Sequence, residues 1–175
     1  MTFERIGSET AWEGRFAAVR VERFRYDDGQ EAEREIVTHP GAVAVVAHDG
    51  ERLFLVRQPR EPVDEQALLE LPAGKLDEEG EEPLDTAKRE LAEEIGKGAR
   101  SWEHLTSFYT SPGFADEECH VFLATELYDE PAEVDECERI EIVEAPLADL
   151  DDVIADCRDS KTLVALLWFR AYLRG

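Results

Sequence analysis

Lysine is scarce in this 175-residue chain: four of its nineteen basic residues, at positions 75, 88, 97 and 161, are lysines, and they face forty-two carboxylates. The resulting net charge of −23 repels the phosphate backbone of nucleic acid, so no nucleic-acid partner is expected. Cysteine is sparse too. Cys119, Cys137 and Cys157 are odd in number and widely spaced, which excludes both a disulfide framework and a C-x-x-C zinc or redox motif and leaves three thiols of a reducing cytoplasm. No apolar run approaches the 18 or so residues of a membrane span, so no membrane association is expected. The opening MTFERIGSET is polar and lacks the core of a secretion signal, and a cytoplasmic location is the expectation. A chain of this length buries roughly two-thirds of the surface it exposes when unfolded and needs no covalent staple.

What the chain does contain is acid. Abundant carboxylates with little lysine resemble the composition of proteins from salt-loving microbes, where a Debye length of about 3 Å at molar salt removes most self-repulsion. A halophilic protein is therefore expected. In such a chain, a cluster of glutamates is readily a solvated face and needs further support before it is read as a site.

Repeats and low-complexity tracts are absent, and the most irregular segment is the acidic stretch near 128–138. Residues 15–26, the Asp27-Asp28-Gly29 turn and residues 33–39 read as a β-hairpin. GAVAVVAHDG at 41–50 and RLFLVRQPR at 52–60 suit a buried strand pair, with ALLELPAG at 67–74 a short extended segment stopped by Pro-Ala-Gly. PLDTAKRELAEEI at 83–95 predicts a helix. Proline opens it, Leu84, Ala87, Leu91 and Ile95 recur at helical spacing, and Gly96 and Gly98 end it. Strands are expected at 102–109, 119–127 and 140–143, and helices at 147–157 and 162–173. Strands with an inserted helix and a helical end imply an α+β or α/β sandwich with a mixed sheet. It divides into an N-terminal strand region, 1–40, and a main domain, 41–175.

On the mid-chain helix, Glu90, Glu93 and Glu94 lie three and four residues apart and project from one face within a single turn. Like charges so close cost stability unless a cation gathers them, and Mg²⁺ or Mn²⁺ accepts this kind of oxygen donor set. Leu71-Pro72-Ala73-Gly74 upstream can bring a backbone carbonyl to the same ion. Arg89, four before Glu93, can orient a carboxylate through a forked hydrogen bond.

GKLDEEGEEPLDTAKRELAEEIG, residues 74–96, resembles the Nudix box, G-x5-E-x7-R-E-U-x-E-E-x-G-U with U a bulky aliphatic. Glu81, Arg89-Glu90-Leu91, Glu93-Glu94 and Gly96 fall in place. Six residues rather than five separate Gly74 from Glu81, and Lys97 holds the last aliphatic position. The strings REIVTHPGAVAVV, LVRQPR, ELPAGKLD, SPGFADE and ECERIEIV are similar in order and spacing to the ADP-ribose pyrophosphatase branch, over residues 34–143.

The resemblance implies an α/β/α sandwich of the α+β class with an N-terminal β-hairpin region that serves dimerisation and substrate contacts. It further implies hydrolysis of ADP-ribose to AMP and ribose 5-phosphate with Mg²⁺ or Mn²⁺, in a homodimer. Metal ligands carried over are Glu90, Glu93, Glu94 and the backbone of Ala73. Substrate contacts carried over are Arg60, Arg34 reaching the partner subunit's substrate, and Glu117. The general base falls to Glu138 or Glu136 on the late loop, or to Glu93. Another nucleotide sugar or dinucleotide, or a non-catalytic ADP-ribose-binding regulator, remains the alternative.

Overall fold

A computed structural model describes residues 1–132 and 139–174. Two compact units are present, Met1–Gly41 with Tyr109–Glu118, and Ala42–Phe108 with Cys119–Gly175.

The larger unit is built on a mixed sheet with helices on both faces, the expected α/β/α sandwich. Strands β4 (Ala42–His48) and β5 (Arg52–Arg60) are joined at Asp49-Gly50. Asp49 Oδ1 accepts from the backbone N–H of Glu51 at 3.0 Å and of Arg52 at 2.7 Å, and Gly50 supplies a φ of +97° that a side chain would strain. The order β10-β5-β4-β9-β8 is completed by β6 along β5 and β7 along β4. These strands are β6 (Glu65–Glu70), β7 (Ala73–Lys75), β8 (Lys97–Tyr109), β9 (Glu118–Asp129) and β10 (Glu141–Pro146). β4 pairs parallel with β9 and antiparallel with β5 and β7.

Because side chains alternate along a strand, the apolar run at 41–47 feeds two cores at once. Val43, Val45 and Ala47, with Phe54, Val56 and Phe122, pack on Ala87, Leu91 and Ile95 of α1 (Pro83–Ile95). Val46, Leu53, Leu55, Val121 and Leu123 pack on Leu150 and Ile154 of α2 (Leu150–Asp156) and on Ala165, Leu166 and Phe169 of α3 (Ser160–Tyr172). Truncating a fully buried leucine such as Leu91 to alanine would cost about 2–5 kcal/mol.

Helix α1 has the expected bounds, with Pro83 in its first turn and Gly96 in the left-handed conformation at its end. Helix α3 starts at Ser160, ahead of the apolar run that set the expectation at 162. Asp159 caps it, accepting from the Thr162 N–H at 2.9 Å. The segment expected as one helix over 147–157 is a 3₁₀ turn at Leu147–Asp149 followed by α2.

The smaller unit carries strands β1 (Phe3–Glu13), β2 (Ala18–Tyr26) and β3 (Glu31–Thr38) as an antiparallel sheet in that order. β2 and β3 form the expected hairpin, whereas β1 was missed. Its residues are almost all exposed and show no apolar alternation, so its pairing with β2 supplies what the pattern lacks. Phe3 stacks edge-on against Phe24, with ring centroids 5.4 Å apart. Residues 109–118 join this unit through Val37, whose N–H donates to the Phe114 carbonyl at 2.8 Å and whose carbonyl accepts from Asp116 N–H at 3.2 Å.

Candidate active site

The three α1 glutamates are not equivalent. Glu94 is 7% exposed, and the side chains of Glu90 and Glu93 are 13% and 36% exposed. A purely solvated acidic stripe is thereby excluded for Glu90 and Glu94. β7 packs against this turn of α1 and explains why. A Cβ on Gly74 would stand 1.9 Å from Glu90 Oε1 and 2.0 Å from its Cδ, so the missing side chain is the space that the Glu90 carboxylate fills.

Glu94 Oε2 accepts the Ala73 N–H at 2.9 Å. Val45 N–H donates to the Pro72 carbonyl at 2.8 Å, while Ala73 stands opposite Ala44. By antiparallel alternation, the Ala73 N–H and carbonyl both leave the ladder on the side away from β4.

Arg89 ties the cluster together. Its Nη1 donates to Glu90 Oε1 at 2.9 Å and to Glu93 Oε2 at 3.1 Å, while Nε and Nη2 reach the two oxygens of Glu81 at 3.3 and 3.2 Å. Burial opposes the Arg89 charge, but the carboxylates of Glu81, Glu90 and Glu93 outweigh it and raise its pKa above the ordinary guanidinium value. Glu81 is held below the usual carboxylate range by Arg89 and also accepts from Thr86 Oγ1 at 2.8 Å. Box glutamate 81 thus positions the arginine that positions Glu90 and Glu93.

A second charged cluster lies beside Ala73 in sequence. Glu70 is fully buried and receives a fork from Arg60, Nε at 2.6 Å and Nη2 at 2.8 Å, together with Lys161 Nζ. Burial would raise the Glu70 pKa, and the two cations reverse that and leave it below its ordinary value. Arg60 is raised by its bond to Glu70 against the cost of burial, with Asp159 and Glu94 adding to the rise. Arg60, expected as a phosphate or ribose contact, therefore spends Nε and Nη2 on Glu70 and keeps Nη1 without a partner among the described residues. Sequence reasoning missed Glu70, although a carboxylate inside the apolar ALLELP was a signal.

Lys97, where the box pattern asks for an aliphatic residue, pairs with Asp129 at 2.6 Å and lies 5.8 Å from the Phe54 ring centroid.

Arg34 and Glu117 belong to the smaller unit. Arg34 Nη1 donates to the Glu33 carbonyl at 2.8 Å and lines a cavity of about 340 Å³ with Phe3, Phe24, Tyr26 and Phe114. Glu117 Oε2 accepts from Thr110 Oγ1 at 2.6 Å. Glu136 and Glu138 lie outside the described residues.

Among the described residues, no three His, Cys, Asp or Glu side chains converge as a ready-made metal cage. Arg89 stands between the carboxylates of Glu81, Glu90 and Glu93, and Glu94 is turned to Ala73. The donors nevertheless fit a hard cation. They are all oxygens, two of the carboxylates are sheltered, and the Gly74 cradle lets Glu90 approach the strand whose Ala73 carbonyl leaves on the same side as its Glu94-bound N–H.

The NUDIX domain model matches residues 37–167. The chain belongs to the Nudix family. Two relatives cover 94% of it and 91% of their own lengths: the ADP-ribose pyrophosphatase of Bacillus subtilis (strain 168) at 44% identity and the methanol dehydrogenase activator of Bacillus methanolicus at 42%. A solved structure described as an ADP compounds hydrolase aligns with 100% of this chain and 96% of its own, with a TM-score of 0.88 and 27% identity. The Nudix assignment makes the chain a hydrolase. Among the described residues, no helix is long and apolar enough to cross a membrane.

Proposed function

We propose that this Nudix hydrolase cleaves ADP-ribose to AMP and ribose 5-phosphate with a divalent cation, Mg²⁺ or Mn²⁺, as a cytoplasmic homodimer. One observation carries the chemistry: a turn of α1 presents Glu90 and Glu94, sheltered, to a strand without a side chain at Gly74. The choice of ADP-ribose is supported by the name of the B. subtilis relative, and that of an ADP compound more broadly by the name of the solved structure.

Glu90, Glu93, Glu94 and the Ala73 carbonyl would hold the cation. Bound there, it supplies Lewis-acid stabilisation of a diphosphate and a lowered pKa for the attacking water. Arg89 keeps Glu90 and Glu93 oriented, and Arg60 offers Nη1 to a phosphate oxygen. A carboxylate not consumed by the cation takes the proton of the water attacking phosphorus: Glu138 and Glu136 are the candidates, and Glu93 is the third should the cation leave it unligated. Residues 1–40 contribute dimer and substrate contacts, Arg34 among them, with Glu117 from the 109–118 segment on the substrate side; residues 41–175 form the catalytic domain.

Purified protein incubated with ADP-ribose and Mg²⁺ or Mn²⁺ should release AMP, chelator should abolish the release, and Glu94→Gln should remove most of it. Turnover of another nucleotide sugar or a dinucleotide, with ADP-ribose untouched, would move the substrate assignment. A second reading, a regulator that binds the nucleotide without turnover, draws on the name of the B. methanolicus relative. Saturable ADP-ribose binding with no product under both metals would favour it.

A further inference from the structure

The start of α3 holds the segment that leads into the candidate cation site at successive points. Thr162 is fully buried, and its Oγ1 accepts the N–H of Leu71 at 2.8 Å while donating to Asp159 Oδ2 at 2.7 Å. Asp159 Oδ2 also accepts the Thr162 N–H at 2.9 Å and lies 3.0 Å from Lys161 Nζ. Lys161 in turn pairs with Glu70, which Arg60 forks from the other side. The next residues are fixed as well, Pro72 by Val45 N–H and Ala73 by Glu94. Every residue from Glu70 to Ala73 is therefore anchored, and two of the four anchors come from one turn of a helix about ninety residues later in the chain. Shifting the segment is costly, because a buried N–H deprived of its acceptor carries the full desolvation penalty.

We infer that Asp159, Lys161 and Thr162 form a clamp that positions the Glu70–Ala73 segment, and through it the Ala73–Glu94 contact that readies the cation site. These are positioning residues. Thr162 is bonded to Leu71 and acts through it. The inference rests on the reading of Glu90, Glu94 and the Ala73 carbonyl as the cation-binding cluster.

Thr162→Val keeps the shape of the side chain but removes both hydrogen bonds of the hydroxyl, and Thr162→Ser restores them. Three quantities are measured on folded protein: amide hydrogen exchange at Leu71 and Ala73 without metal, Mn²⁺ binding without substrate by titration calorimetry, and the kcat/KM split for ADP-ribose. Thr162→Val should speed exchange at both amides, weaken Mn²⁺ binding about tenfold, the low end for loss of an outer partner of a metal site, and lower kcat more than it raises KM. Thr162→Ser should return all three toward wild type. Should the valine variant be too unstable to purify, Lys161→Met, which cuts the tie between Asp159 and Glu70, is measured in the same way with the same expected directions. Unchanged exchange at Ala73, or unchanged Mn²⁺ affinity in a variant whose Leu71 exchange has risen, overturns the clamp. Wild-type protein that binds no Mn²⁺ overturns the underlying reading of the cluster as well, so the two failures are told apart by the wild-type titration.

Discussion

Gly74→Ala tests the cradle directly. An added Cβ would stand 1.9 Å from Glu90 Oε1, 2.0 Å from Cδ and 2.4 Å from Cγ, where carbon contacts settle at about 3.5 Å or more. The carboxylate must therefore retreat by roughly 1.5 Å to reach ordinary contact. Retreat removes it from Arg89 Nη1, now 2.9 Å away, and from the side on which the Ala73 carbonyl leaves β7. A displacement of that order costs about 100-fold in rate where geometry sets catalysis, or about 2.7 kcal/mol of transition-state stabilisation. Stability should change far less. Losing a partly exposed Arg89–Glu90 bond costs about 1 kcal/mol or less, and the stiffer unfolded chain returns about 0.4–1 kcal/mol. The assay pairs AMP release at saturating Mg²⁺ with a thermal melt: kcat/KM should fall about 100-fold while the melting curve hardly moves. Wild-type turnover in the alanine variant would refute the cradle. So would a melting point depressed enough to account for the lost activity.

Glu70→Gln should destabilise the fold by about 3–5 kcal/mol at neutral pH, because two cations are left facing a neutral buried amide. Since the folded-state pKa of Glu70 is lowered, its contribution is present above the unfolded carboxylate value of about 4.3 and is lost as pH falls through the folded value. The gap between wild type and variant should accordingly close in acid, and a melt series from pH 7 to pH 3 that shows a constant gap would count against it. Glu138→Gln and Glu136→Gln separate the base candidates: the true base should lose about 10²- to 10⁴-fold in kcat, and two near-wild-type variants would return the role to Glu93. With a net charge of −23, melting temperature should rise steeply from low to molar salt, and a flat response would reject the halophilic reading.

Sequence alone determined the elements whose signals are local. Continuous apolar runs at 43–47, 53–56 and 121–124 put apolar side chains on both faces of their strands, so a sheet covered on both sides follows from them. Proline at 83, glycine at 96 and the 84-87-91-95 spacing delimit α1, and the same spacing puts Glu90, Glu93 and Glu94 on one turn. Tertiary structure decided everything that depends on what stands opposite. A helical turn of glutamates is surface or site according to its neighbour, and β7 with Gly74 made the difference for Glu90 and Glu94. β1 has no apolar pattern of its own and exists through pairing with β2. Arg60 carries over from the resemblance as a substrate contact, and the fold also forks it onto Glu70, because a buried carboxylate must be neutralised by whatever the fold brings near, here also a lysine ninety-one residues away. Hydrogen bonds between residues so far apart in the chain leave no trace in local pattern, since their geometry is fixed by the packing of α3 on the sheet and not by the residues around them.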